Sequence, residues 1–231
     1  MTRVACKSPN DIPMESHLSD FASPRQVVSI NGNPTTGKHA MHKSSSLTDV
    51  KTLRKRAREH IDDGSVTAGY SADRDAVLKL LNASLATELV CVLRYRRHHF
   101  MARGIHSQSV AQEFLDHSNE EQGHADQIAE RIVQLGGAPD FAPEGLAGRS
   151  HAEYVEGDTL VSMIREDLVA ERIAIDSYRD IIQYLGDKDP TTRRMLEGIL
   201  AVEEEHADEL ADLLVAFPEA AVVTPSPTKS K

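Results

Sequence analysis

The sequence contains Glu-x-x-His twice, at Glu121/His124 and Glu203/His206. On a helix, residues three apart share a face, so a carboxylate and an imidazole at this spacing can grip one cation. With 18 Glu and 11 His in 231 residues, about one such pair arises by chance, so the motif alone decides little. Register decides more. Glu88 lies 16 residues before Gly104 and Glu121 lies 17 after it; Glu171 lies 17 before Lys188 and Glu203 lies 15 after it. If Gly104 and Lys188 mark the turns of two antiparallel helical hairpins, each glutamate pair sits about 25 Å from its turn, face to face. The arrangement Glu, turn, Glu-x-x-His has occurred twice.

All six residues fall on apolar stripes, where an ionised carboxylate without a partner costs several kcal/mol. A cation must therefore be present. Four carboxylates and two imidazoles suit two divalent first-row metals and neutralise them, with iron the natural candidate and manganese behind it. Zinc would take fewer carboxylates.

Four long helices are predicted to carry these residues. The first spans Ser71 to Arg103, free of Gly and Pro, with the stripe Leu81, Leu85, Glu88, Val92, Tyr95. The second runs from Ser107 to Leu135, with Phe114, His117, Glu121, His124, Ile128 and Ile132 inward and Gly136 and Gly137 closing it. The third starts after Asp158 as N-cap and ends before Gly186, with Leu160, Ile164, Asp167, Glu171, Ala174 and Tyr178 inward. The fourth opens with Asp189 as N-cap and Pro190 at its first position, carries Ile199, Glu203, His206 and Leu210, and stops before Pro218. Helices of this length must pack side by side. Between the second and third, a connection of about 20 residues reaches about 66 Å, enough to run the length of a bundle and start the third helix from the opposite end. The fold class is an all-α four-helix bundle of two antiparallel hairpins joined by that crossover.

The bundle is assigned to 71–217, preceded by a mildly basic extension, 1–70, and followed by a Pro-rich tail, 218–231. Residues 1–46 are rich in Ser, Pro, Asn, Gly and Lys without a sustained period and are expected to be disordered; 48–62 reads as a short polar helix. The net charge of −10 divides into +3 over 1–70 and −13 over 71–231. The basic stretch "KTLRKRAREH" is either solvated charge or a contact for nucleic acid. Two cysteines, Cys6 and Cys91, exclude a disulfide scaffold, and no CxxC pair is present for a zinc ribbon or rubredoxin site. No signal peptide and no apolar run of about 18 residues is evident, so a cytoplasmic protein without a membrane partner is expected.

The stretches "ATELVCVLRY", "EEQGHADQIAERIVQLGGAPD", "DLVAER" and "ILAVEEEHADELAD" resemble the ferritin-like di-iron carboxylate proteins, most closely bacterioferritin, over residues 75 to 215. The resemblance implies Glu88 and His124 as terminal ligands of one iron, Glu171 and His206 of the other, and Glu121 and Glu203 as bridges. It also implies ferroxidase activity, with O2 or H2O2 oxidising Fe(II) and the ferric product stored in a homo-oligomeric shell. Gln122 and Gly123 occupy the region of bacterioferritin's haem-ligating methionine, so haem is not expected. The polar tail replaces bacterioferritin's fifth helix, which favours a 12-subunit shell like that of the DNA-protecting mini-ferritins.

Tyr95, seven residues after Glu88, reads as a hydrogen-bond partner or electron donor for the centre, or as a plain core tyrosine. Asp167 is placed to hold a ligand histidine by its second nitrogen, or else is a surface residue. Cys91 reads as a small buried hydrophobe, and His98 and His99 as exposed residues near a helix end or iron-entry ligands. Two rival functions remain: a non-storage di-iron or di-manganese peroxidase or catalase, and a DNA-protecting protein acting through its N-terminal extension.

Overall fold

The structure, a computed structural model, describes residues 47–104 and 107–217; the expectations for 1–46 and 218–231 concern residues outside these. All regular elements among the described residues are helical: α1 (Val50–Arg56), α2 (Arg74–Met101), α3 (Ser107–Gln134), α4 (Leu146–Arg149), α5 (Leu160–Leu185) and α6 (Pro190–Ala216). The predicted short helix over 48–62 is divided. α1 ends at Arg56, and after His60, whose φ is +52°, the chain makes one 3-10 turn at Ile61–Asp63. The four long helices lie within the predicted spans, and Asp189 caps α6 as expected, accepting from Thr192 N. The N-cap of α5 is Thr159, one residue beyond Asp158, because Thr159 and Ser162 satisfy each other's backbone N–H groups in a capping box.

α2 packs most extensively on α3 and α5 on α6, giving the two antiparallel hairpins of a four-helix bundle. The apolar core is in two parts. One includes Leu81, Leu85, Ile128, Ile132, Leu185 and Leu196; the other includes Cys91, Tyr95, Phe114, Met163, Ile164 and Leu210. On every long helix the six Glu and His residues fall between the two. Apolar packing on both sides therefore holds the polar centre.

The crossover, residues 135–159, is laced along α2. Asn82 accepts from Asp140 N at 2.8 Å, Thr87 accepts from His151 N at 2.9 Å, and Arg94 and Arg97 donate to the carbonyls of Glu153 and Glu156 at 3.0 and 2.8 Å. These anchors pair loop backbone groups and fix the path of the crossover along α2. Gly157, at φ +62°, ends the loop, where a Cβ would come within 2.9 Å of Met163 N. Covered by α3, α5 and this loop, α2 has buried residues over most of its circumference. By length and mean composition alone it could cross a membrane, although Lys79, Asn82 and Glu88 interrupt any apolar run; 56% of that window is buried in the bundle, which accounts for its apolarity.

Two further expectations are overturned. Asp167 neither sits on the surface nor holds a ligand histidine. Its carboxylate is fully buried between Arg94 Nε at 2.7 Å and His98 Nδ1 at 2.8 Å. His98 is likewise fully buried, with Nε2 2.9 Å from the Glu156 carbonyl, so it is no surface ligand. His99 is half-buried against the Ala111 carbonyl at 2.6 Å. Helical spacing put Asp167 on the right face, but the large cation one turn beyond the centre reaches it first. Asp167→Ala strands the buried Arg94 guanidinium, and urea unfolding should register a loss of about 3–5 kcal/mol relative to the parent chain.

Candidate metal centre

Each helix of the bundle delivers its share of the centre through the core packing on either side of it. Glu88 comes from α2, Glu121 and His124 from α3, Glu171 from α5, and Glu203 and His206 from α6; none is more than 5% exposed. His124 Nδ1 lies 3.5 Å from Glu88 Oε2, 3.3 Å from Glu121 Oε2 and 3.0 Å from Glu203 Oε1. His206 Nδ1 lies 3.7 Å from both Glu121 Oε1 and Glu203 Oε2. Two groups of four result, each with its ligand atoms within 4.8 Å of one another: Glu88, Glu121, His124, Glu203 and Glu121, Glu171, Glu203, His206. Glu121 and Glu203 belong to both.

Hydrogen bonding does not satisfy this cluster. Glu88 Oε2, Glu121 Oε1, Glu171 Oε2, both Glu203 oxygens and His206 Nδ1 are buried without a hydrogen-bond partner. Buried polar atoms are nearly always paired, so such a concentration in one place fits a cation-binding cavity. The donor set, oxygen-rich with two imidazoles, suits two divalent first-row ions.

Burial and mutual charge shift the proton affinities of these groups in opposite directions. Burial, then the charges of Glu121 and Glu203, pushes the Glu88 and Glu171 carboxyls well above the ordinary carboxylate range. Burial opposes charge on His124, but Glu121, Glu203 and Glu88 around it prevail and push it up to about 12. His206 rises to about 10 against the same opposition, through Glu121, Glu203 and Glu120. Burial alone would raise Glu121, yet hydrogen bonding with Glu88 and the two histidines holds it well below its usual value.

Neighbouring residues orient the ligands. Tyr95 donates to Glu171, and Tyr178 donates to Glu88. Each tyrosine stands seven residues after the glutamate on its own helix and reaches the glutamate on the other. Tyr178 was not singled out in the sequence, although the repeated seven-residue spacing marks it. His206 is held by Glu120, 2.6 Å from Nε2, which is the part assigned in the sequence to Asp167. His117 stacks on His206 with ring centroids 4.0 Å apart, and burial followed by the charge of His206 holds it below the ordinary imidazole value. Next to Glu203 in the sequence, Glu204 and Glu205 face solvent, and Glu204 pairs with Arg179 at 2.6 Å.

A sequence profile of the ferritin-like domain matches residues 78–220, most of the chain. The chain belongs to the ferritin-like family. This ferritin-like protein is 34% identical over 179 residues to the nutrient stress-induced DNA-binding protein of Nostoc sp., covering 73% of this chain and 92% of that one. It is 32% identical over 135 residues to the bacterioferritin of Mycobacterium avium, covering 58% and 80%. Among solved structures, it matches the dodecameric thioferritin of Bacteroides fragilis, a bacterioferritin-related protein, with a TM-score of 0.61 and 32% identity over 63% of this chain and 88% of that one. Dps of Thermosynechococcus elongatus, with a TM-score of 0.59 at 21% identity over 61% and 90% of the two chains, shares the fold.

Two outcomes follow from this geometry. Tyr178→Phe frees Glu88 and should weaken divalent-metal affinity about 10- to 100-fold in an anaerobic titration. The raised values of His124 and His206 stabilise the metal-free fold fully below their ordinary 6.5, and this stability is lost as pH rises through about 10 and 12. Glu88 and Glu171 act in the same direction from 4.5 upward. Calorimetry of metal-free protein should therefore give a lower melting temperature at pH of about 9 than of about 6, and added Mn(II) should narrow the gap by replacing protons.

Proposed function

We propose that the protein is a ferroxidase subunit of an iron-storing and iron-detoxifying homo-oligomer. The observation that carries this reading is the pair of four-ligand groups sharing Glu121 and Glu203. In it, Glu88 and His124 hold one Fe(II), Glu171 and His206 the other, and Glu121 and Glu203 contact both. Two bound Fe(II) ions supply one electron each, reducing O2 with two protons to H2O2, or H2O2 with two protons to two waters.

The chain's own part is positioning and exclusion of water. Burial of all six ligands removes competing hydration and strengthens their hold on charge. Tyr95 and Tyr178 fix the terminal carboxylates. Manganese fits the same donors and supports peroxidase or catalase chemistry as the rival use of the centre. A 12-subunit shell is supported by the likeness to the dodecameric thioferritin. Cytoplasmic residence fits this role.

A second reading, contact with DNA, is favoured by the exposed basic residues Lys51, Arg54, Lys55 and Arg56 of α1 and by the name of the Nostoc relative. Phosphate contacts of this kind would be lost on adding salt or on deleting residues 1–64.

The test mixes metal-free protein anaerobically with Fe(II), then adds O2 or H2O2. Saturation near two irons per chain, fast oxidation, and growth of an iron core in a hollow particle are the expected results. Glu121→Ala should remove fast oxidation while leaving the helical circular dichroism intact. Peroxide turnover without core growth would instead establish the non-storage enzyme.

A further inference from the structure

The two hairpins repeat each other at the ligands but not directly beside them. In α3 the residue before Glu121 is Glu120, whereas in α6 the residue before Glu203 is Val202. Glu120 crosses to the histidine of the other hairpin, with Oε2 2.6 Å from His206 Nε2. By the same repeat, Val202 holds the position from which a carboxylate would answer His124. None does: His124 meets Glu88, Glu121 and Glu203 through Nδ1, and among the described residues no side chain takes its Nε2. His124 is also the most exposed of the six ligands, at 5% against 1% or less for the others.

When a cation takes Nδ1 of an imidazole, the remaining proton stands on Nε2, and its acceptor decides how firmly the ring is aimed and how strongly it donates. For His206 that acceptor is a carboxylate. His117 also lies against the face of the same ring, with centroids 4.0 Å apart and planes 18° apart. His206 is thus held at its edge and on its face, and its Nδ1 is buried without a hydrogen bond, 3.7 Å from both Glu121 and Glu203. The ring of His124 has no such support, and a cation reaching its Nδ1 must displace contacts to three carboxylates within 3.5 Å.

We infer that Glu120 is a positioning residue that makes the two metal positions unequal: the one held by Glu171 and His206 fills first, and the one held by Glu88 and His124 is the weaker, exchangeable one. The side chain of Glu120 is 55% exposed, so solvent screens its charge and the difference in affinity falls near the lower end of the range for such partners, about 10-fold. The division of ligands between two ions rests on the proposed ferroxidase reading. The order of filling is a property of binding and needs no oxidation. In that reading the first Fe(II) stays at His206, and the second enters and leaves beside His124, where the centre is least covered.

Anaerobic titration of the metal-free full chain with Co(II), followed by calorimetry and visible absorption, tests the order. The parent should bind about two ions per chain in separate steps, with constants about 10-fold apart. Glu171→Ala should remove the tighter step and Glu88→Ala the weaker one. Glu120→Val should bring the tighter step down to the weaker, and Val202→Glu, which supplies the partner that His124 lacks, should strengthen the weaker step about 10-fold. A gain of affinity cannot come from damage to the fold, and circular dichroism checks the helices of the other variants. Equal steps in the parent, a tighter step removed by Glu88→Ala, or steps unchanged by either exchange at position 120 or 202 would overturn the inference. Saturation at about one ion per chain would remove the two-iron reading instead. The order then stands if Glu171→Ala loses that ion and Glu88→Ala keeps it, and falls in any other case.

Discussion

Four carboxylates in one dry compartment are the constraint on which the rest of the structure depends. Any one of them, ionised and unpaired, costs several kcal/mol, and together they repel one another in a medium that screens poorly. Such a set persists only if the surrounding structure is stable enough to impose it. The two apolar clusters on either side supply that stability, and they require helices long enough to extend several turns beyond the centre in both directions. The length of the bundle is thus a consequence of its centre. Imidazolium and carboxylic protons answer part of the same electrostatic demand that bound cations would, so protons and metal compete for this set.

The internal repeat explains how one chain builds a two-sided centre. Glu88 and Tyr95 on α2 answer Glu171 and Tyr178 on α5, and each tyrosine crosses to the opposite glutamate. Crossed bonds of this kind lock the two hairpins in register, since a slip of either helix breaks both. The repeat fails where the topology does. Only α2 is wrapped by the crossover, and its Arg94–Asp167 pair has no counterpart in the repeat: Arg94 answers Ser177, and Asp167 answers Ser84. The Arg94, Asp167 and His98 cluster serves the loop, whose carbonyls at Glu153 and Glu156 it satisfies.

Much of this was legible in the sequence, and the reason is periodicity. The Glu and His residues interrupt apolar stripes at helical spacing, and the turns that set their register are marked by Gly104 and by the capping pair Asp189 and Pro190. Fold class and the convergence of all six residues follow from those two signals. What periodicity cannot carry is the identity of a partner on another element. Arg94 finds Asp167 across 73 residues, and nothing in the local pattern around Asp167 distinguishes an orienter of histidine from the counter-ion of an arginine. His98 failed for a related reason. Its place near a helix end suggested exposure, but the crossover that buries it is irregular chain whose path no period marks.

The hydrogen bonds also divide the six residues by freedom. Glu88 and Glu171 each have one oxygen committed to a tyrosine, and His206 is held from behind by Glu120. Glu203 has neither oxygen in a hydrogen bond, and its closest neighbours are the two histidine Nδ1 atoms, at 3.0 and 3.7 Å. Its contacts are with the histidines that it would share with a cation, whereas moving Glu88 or Glu171 breaks a buried hydrogen bond to a phenol. In the proposed assignment, any shift of ligands between divalent and trivalent iron therefore falls on the shared glutamates, Glu203 above all. In that assignment the tyrosine-held pair would keep the two ions in place while their charge changes.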